Sequence, residues 1–450
     1  MLALFLVLFP SPLRAAVDVE LQFVLNTFSF LFWGALVMWM CAGFTMLEAG
    51  SVRTKNSSVI CLKNIGLYSI AGLTYYLVGY NIMFTGVEEG GWFGSLDPFY
   101  GTSDAERALL SGEGAIGDAS ARVLERGHAA MSEWFFQMVF LASSASIVSG
   151  TLAERVKLGS FFVFIVVLTG VIYPIVGAWT WGGGWLHAMG FVDFAGSTVV
   201  HSTGGWAALA GVLVVGARRG KFRADGTVKA TPPRDVPAVT LGVFIIWLGF
   251  LGFNGGSQLA LGGAIDAVAM SNVIANTALG AAAGVITAVL LSRPLLGRID
   301  IIASLNGAIA GLVAITAGPD IVEHHWAVII GAVGGGVCTL GVKALERLRI
   351  DDEVGAIPAH MGAGVWGTMA VCIAAGGDPL VQLAGVAAVG AFVFGTSLLV
   401  WRLIDWTIGA RITRGVEILG QDIAELGIEA FPEFLPQPEE HIPPEAAPKK

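Results

Sequence analysis

The sequence predicts an all-α membrane protein with eleven transmembrane helices, its N-terminus outside and its C-terminus inside. The helices form an inverted repeat of five plus five, with one added. Three observations predict this. The 450 residues are 55% hydrophobic and only 13% charged, where an ordinary soluble domain carries about 25% charged residues. The charges collect in short segments between apolar runs of about 20 residues, the length that crosses a bilayer. A histidine-bearing stretch recurs five apolar runs after its first appearance.

The elements follow in order. Residues 1–16, MLALFLVLFPSPLRAA, read as a candidate signal peptide, with small residues before Val17. The basic n-region is missing, so retention and removal both stay open. The helical domain occupies 17–410, with repeat one at 22–216, repeat two at 237–376 and an extra helix at 380–409. Its eleven spans lie near 22–47, 58–84, 129–152, 158–181, 193–216, 237–259, 264–292, 300–318, 325–345, 355–376 and 380–409. The loops test this count, because Lys and Arg gather on the cytoplasmic side. The first, third, fifth, seventh and ninth loops carry such residues: Arg53 and Lys55; Arg155 and Lys157; Arg218 to Arg234; Arg293 and Arg298; Arg347 and Arg349. The second, 85–128, is long and mainly acidic, and loops four, six, eight and ten carry no Lys or Arg. Residues 411–450 form a cytoplasmic tail. Its distal end, FLPQPEEHIPPEAAPKK, is rich in Pro and Glu and reads as disordered.

Span five begins at Asp193 and has His201 eight residues on; span ten has Asp352 and His360 at the same spacing. Gly205 and Gly364 follow each histidine at +4, and Trp206 and Trp366 lie just beyond. The spans run in opposite directions, and inverted-repeat transporters place their sites near the midplane between the halves. Eight helical residues cover about 12 Å. Each aspartate therefore caps a helix N-terminus, and the two histidines meet in mid-membrane. Ionisable groups at that depth are functional by default. The bland reading of one such histidine is a helix–helix hydrogen bond, and two at matched places weaken it. For the aspartates, structural capping weighs as much as any chemical role. One haem between two histidines is a further chemistry for such a pair.

Three aromatic groups stand out. WFFQMVF holds Phe136 and Phe140 four apart on one helix face. WTWGGGW holds Trp179, Trp181 and Trp185, and FLGFNGGS holds Phe250, Phe253 and Ser257. Trp belts and Phe cores explain each one alone. Together they can also form a cage in which ring faces attract a small cation and a serine oxygen accepts its hydrogen bond. The cysteines, Cys41, Cys61, Cys338 and Cys372, form no disulfide or metal motif, and no cofactor is expected. The basic face that a nucleic-acid binder needs is missing.

DFAGSTVVHSTGG at 193–205 closely resembles a signature of the ammonium transporter (Amt/MEP/Rh) superfamily. FTMLEAGSVRTKN at 44–56, SGTLAERVK at 149–157, GFNGGS at 252–257 and HMGAGVWGT at 360–368 fit as well. The resemblance covers nearly the whole chain and points to the Amt branch. It implies a homotrimer in a cell membrane (the inner one in a Gram-negative source), each subunit with its own pore. It assigns Trp181, Phe140 and Ser257 to an outer ammonium recruitment site. Phe140 and Phe253 become a stacked gate, and His201 and His360 a pore pair that relays protons. Asp193 shapes the recruitment site; Asp352, Phe136 and Trp366 lie near these groups. The implied activity is transport, not catalysis: NH4+ is recruited, deprotonated and passed as NH3, with its proton crossing too. A sensor with little flux is the alternative. The tail stretch ILGQDIAELGIEAF resembles a regulatory tail that binds a PII-type signalling protein, but Leu426 replaces a histidine common there.

Overall fold

A computed structural model describes residues 18–112 and 116–432; the candidate signal peptide and the distal tail lie outside them. The described residues are helical and contain no strand, only isolated bridges such as Val156 with Arg411. A helix stands at each of the eleven expected stretches: α1 Val19–Ser51, α2 57–84, α3 Ala130–Thr151, α4 158–180, α5 Ser197–Val215 and α6 Val236–Gly256. There follow α7 Ala264–Leu296, α8 Ile301–Ile315, α9 His324–Arg347, α10 Ile357–Ala375 and α11 Pro379–Thr407. Among the described residues, nine helices are long and apolar enough to cross a membrane. The 15-residue α8 is too short for that test, and α2 carries Lys63 and Asn64 in its second turn. The protein is a multi-pass membrane protein.

Several helices start where the sequence supplies an acceptor and a proline. Asp235 accepts from the Ala238 N–H at 2.9 Å ahead of Pro237, and Asp378 accepts from the Leu380 N–H at 2.8 Å ahead of Pro379. Both satisfy donors that a helix start leaves unpaired. The second loop folds two short helices, Asp104–Ser111 and Ile116–Glu125.

α1 packs along α6, and α7, α8 and α9 pack on one another. Small residues make these contacts close. A Cβ on Gly242 would lie 2.5 Å from the Leu47 nitrogen, and one on Gly331 would lie 2.1 Å from the Gly280 oxygen. In lipid, such backbone approach supplies the packing that water would otherwise drive.

The basic loops meet at one end of the bundle. Arg53 pairs with Glu154 at 2.7 Å, and Arg218 pairs with Asp351 at 2.8 Å and also with Glu154 and Glu353. Burial alone would raise the Asp351 carboxyl, but the Arg218 and Arg155 guanidinium groups hold it well below the usual carboxylate range. The proximal tail docks here. Asp422 accepts from the Ser58 and Val59 N–H groups at 2.9 and 2.8 Å, capping the start of α2. Glu417 pairs with Arg219 and Arg411 at 3.1 and 3.0 Å. The acidic second loop and the loops without Lys or Arg meet at the other end, where Asn26 joins Gly127 to Leu261 and the Phe194 N–H donates to the Ala317 oxygen.

Candidate functional site

The two aspartates organise matching turns. Asp193 accepts from the Gly196, Thr198 and Val199 N–H groups at 3.2, 2.9 and 2.9 Å. Asp352 accepts from Gly355 and Ile357 at 3.1 and 2.7 Å. In each stretch the third residue after the aspartate is a glycine at positive φ, +104° at Gly196 and +73° at Gly355. That conformation is costly for any residue with a Cβ. The chain then enters a π-helical turn, Ser197–Ser202 in one stretch and Ile357–Gly362 in the other. Such turns widen a helix and occur often at functional sites. The expected eight-residue helical rise is thereby corrected. The first three residues after each aspartate make a turn, and the histidine sits in the first helical turn rather than two turns deep.

The two turns grip each other. A Cβ on Gly364 would fall 2.3 Å from the Ser197 oxygen, and one on Gly205 would fall 2.5 Å from Met361 Cβ. Thr198 and Thr368 share a hydroxyl–hydroxyl hydrogen bond of 2.7 Å. This clamp brings His201 and His360 together, Nδ1 to Nδ1 at 3.3 Å with ring centroids 5.3 Å apart. Both rings are buried. One Nδ1 must donate and the other accept, so the two rings take complementary proton positions. Direct contact between them leaves no width for a porphyrin, which removes the bis-histidine haem reading.

An aromatic column leads to the pair. Phe140 and Phe253 stack at 3.8 Å and 18°, and Phe253 lies 5.1 Å from His201. Beyond them, Trp181 sets its edge against Phe140 at 6.2 Å and 80°, and its indole N–H donates to the Asp193 carbonyl at 2.9 Å. Asp193 thus positions Trp181 through its backbone, while its carboxylate is occupied by the turn. The Ser257 hydroxyl donates to the Phe253 carbonyl at 2.8 Å. Its oxygen lone pairs stay open to accept from another donor. On the far side of the histidines, Phe44 lies 6.2 Å from His360.

The remaining expected residues sit farther out. Phe136 packs between Phe140 at 4.7 Å and Phe30 at 5.4 Å, as backing for the column. Trp366 donates its indole N–H to the Ile330 carbonyl at 2.9 Å, fastening α10 to α9. One contributor, Phe250, was named in the sequence without a role of its own, and another, Glu48, was given none. Phe250 stacks on His201 at 5.1 Å and 22°, one turn from Phe253 on α6. Its three-residue spacing from Phe253 was the available signal. Glu48 is fully buried near His360, and its signal was a carboxylate inside an apolar run.

The chain matches the Ammonium Transporter Family over residues 28–431. It is 38% identical over 438 residues to the ammonium transporter Amt2 of Archaeoglobus fulgidus, covering 89% of this chain and 87% of that protein. A solved structure described as a sensor Amt protein superposes with a TM-score of 0.80 at 32% identity, covering 91% of this chain and all of that one. The structure of Candida albicans Mep2 does so with a TM-score of 0.76 at 27% identity, covering 93% of each chain. With its histidine signature, its helical architecture and its near full-length likeness in agreement, this chain belongs to the ammonium transporter family.

Proposed function

We propose that this protein transports ammonium. NH4+ is captured at Trp181, Phe140 and Ser257, gives up its proton at or below the Phe140–Phe253 stack, and passes the histidine pair as NH3. The single observation that carries this is the unbroken ring-to-ring path from Trp181 through Phe140 and Phe253 to His201 and His360.

Magnitudes decide between passage of the ion and passage of the neutral molecule. Moving a bare cation into an apolar medium costs on the order of tens of kcal/mol. A cation–π contact returns about 0.5–2 kcal/mol. The outer rings can therefore recruit an ion but cannot carry it through. Loss of the proton removes the charge, and NH3 then meets only the cost of an apolar constriction. Potassium has no proton to lose and is refused. The proton crosses separately through the hydrogen-bonded pair, where each ring can accept at one nitrogen and donate from the other. Net transport is then electrogenic.

The wider reading follows from the same features. Eleven spans run with the N-terminus outside and the basic loops and tail inside, and the two histidine stretches belong to inverted halves. Three copies assemble, each with its own pore, and a PII-type protein meets the cytoplasmic face. A sensor with little flux is the second reading, favoured by the likeness to the structure described as a sensor Amt protein. Expression in cells that lack ammonium uptake separates the two. Rescue of growth at limiting ammonium is the expected result; stable expression without rescue would favour the sensor.

A further inference from the structure

The stretch WTWGGGW at 179–185 gives Trp181 to the recruitment site and leaves two tryptophans without a task. Trp179 is 3% exposed and Trp185 is half-buried, and their rings meet at 5.5 Å and 60°. Both also meet a third tryptophan, which comes from the second loop. Trp92 and Trp179 pack edge to face at 5.6 Å and 89°, and Trp92 lies 5.5 Å from Trp185 at 31°. Trp179 is backed by Phe392 of α11 at 4.9 Å. Trp92 therefore packs on the residue two before Trp181 and on the residue four after it.

The second loop reaches the same turn with its backbone. The Trp185 N–H donates to the Gly91 oxygen at 3.0 Å. A Cβ on Gly184 would lie 2.6 Å from that oxygen, and one on Gly182 would lie 2.2 Å from the Met83 oxygen at the end of α2. The turn that follows Trp181 is thus pressed onto α2 and the loop. The loop is anchored in its turn. The Gly94 N–H donates to the Ile82 oxygen and the Ser95 N–H to the Thr85 oxygen, both at 2.7 Å. It also holds the other wall of the site, because Glu106 accepts from the Ala130 N–H at 2.7 Å at the start of α3, the helix that carries Phe140.

The bland reading makes Trp92, 60% exposed, an anchor at the membrane interface. An anchor needs only the interface. Three rings in mutual contact instead fix one another's orientation, because aromatic pairs prefer edge-to-face and offset packing. A binding group is placed only as well as the side chains that lock it. We propose that Trp92 is a positioning residue for ammonium recruitment: with the Gly91 carbonyl, it holds the 179–185 turn so that Trp181 faces Phe140. The proposal rests on the transport reading above. Trp92 acts through the turn and not on the ion.

The test uses the reconstituted full chain, with current read against ammonium applied on the Trp181 side. Trp92→Ala is expected to raise the half-saturating concentration about fivefold and to leave the maximal current within about twofold. Trp92→Phe keeps a ring between the two tryptophans and should return the value to within about twofold of the unaltered protein. In a Trp181→Ala background, Trp92→Ala should add nothing, because effects that pass through one residue do not add. An anchor predicts a lower maximal current as less protein inserts, an unchanged half-saturating concentration, and independent effects of the two substitutions. Any of those three results would overturn the proposal. Should Trp92→Ala fail to assemble, Trp92→Leu keeps the bulk without the ring and is expected to show the same rise; no rise would overturn the proposal. Absence of ammonium-driven current in the unaltered protein would instead strike the transport reading.

Discussion

In both histidine stretches an aspartate precedes a left-handed glycine by three residues and a histidine by eight, and a π-turn holds the histidine against its counterpart. The surroundings then diverge. The Asp193 end faces Trp181 and a stack of phenyl rings. The Asp352 end faces Arg218, Arg155, Asp351 and the docked tail. The same backbone device therefore serves a ring-lined approach at one end and a charged, tail-contacted mouth at the other. A shared scaffold sets where the histidines meet, and local side chains set what each end does.

The largest effects should come from breaking the clamp common to both. Gly364→Ala would drive a Cβ to 2.3 Å from the Ser197 oxygen, and Gly205→Ala to 2.5 Å from Met361 Cβ. Overpacking of this kind costs about 1–3 kcal/mol or more. Thermal unfolding of purified protein should show both destabilised. Gly364→Ala should be the worse, because a carbonyl fixed in a turn yields less than a side chain.

The caps should differ next. Asp193→Ala strands three backbone donors and Asp352→Ala strands two, at about 1–3 kcal/mol for each buried group left unpaired. The Asp193 variant is expected to unfold at the lower temperature. Equal loss would mean that the aspartates act alike in spite of their unequal partners.

Trp181→Phe keeps a ring but removes the N–H that bonds the Asp193 carbonyl. Folding should be unchanged, and the external half-saturating ammonium should rise several-fold, within about 1 kcal/mol. An unchanged value would detach Trp181 from recruitment.

The smallest effect concerns the charged end. Burial raises the Glu417 carboxyl, but the Arg219 backbone N–H and the Arg411 guanidinium bring it net below its ordinary value of 4.5. A carboxyl lowered in the folded state contributes stability above that ordinary value and loses it as pH falls further. Proteolysis of the tail should therefore be slow at neutral pH and quicken only below about pH 4. Release near pH 6 would show that another group holds the tail.

Much of this was legible in the residues. The all-helical class and the places of the helices followed from apolar runs, nine of the helices being long and apolar enough to cross a membrane among the described residues, and the even spacing of basic loops sorted them to two ends. The histidine pair was legible because Asp193–His201 and Asp352–His360 repeat one spacing. The π-turns were not, because hydrogen-bond register leaves no mark in residue pattern. Gly196 and Gly355 held the only clue, three residues after each aspartate. Span ends at α1 and α7 ran several residues longer than hydropathy suggested, since helices continue past the apolar zone. Glu48 stayed hidden because its environment depends on α2, α3 and α10 converging on α1.

The central claim is that the paired histidines pass ammonia and a proton while refusing the intact ion. Currents from the reconstituted protein on a supported membrane test it most directly, with NH4+ and K+ pulses applied to the unaltered chain and to the His201→Ala, His360→Ala double variant. The unaltered protein should respond to NH4+ and not to K+. The double variant should lose its ammonium current or admit K+. Normal ammonium currents with K+ still excluded in the double variant would contradict the relay, and equal responses to both ions in the unaltered protein would contradict deprotonation itself.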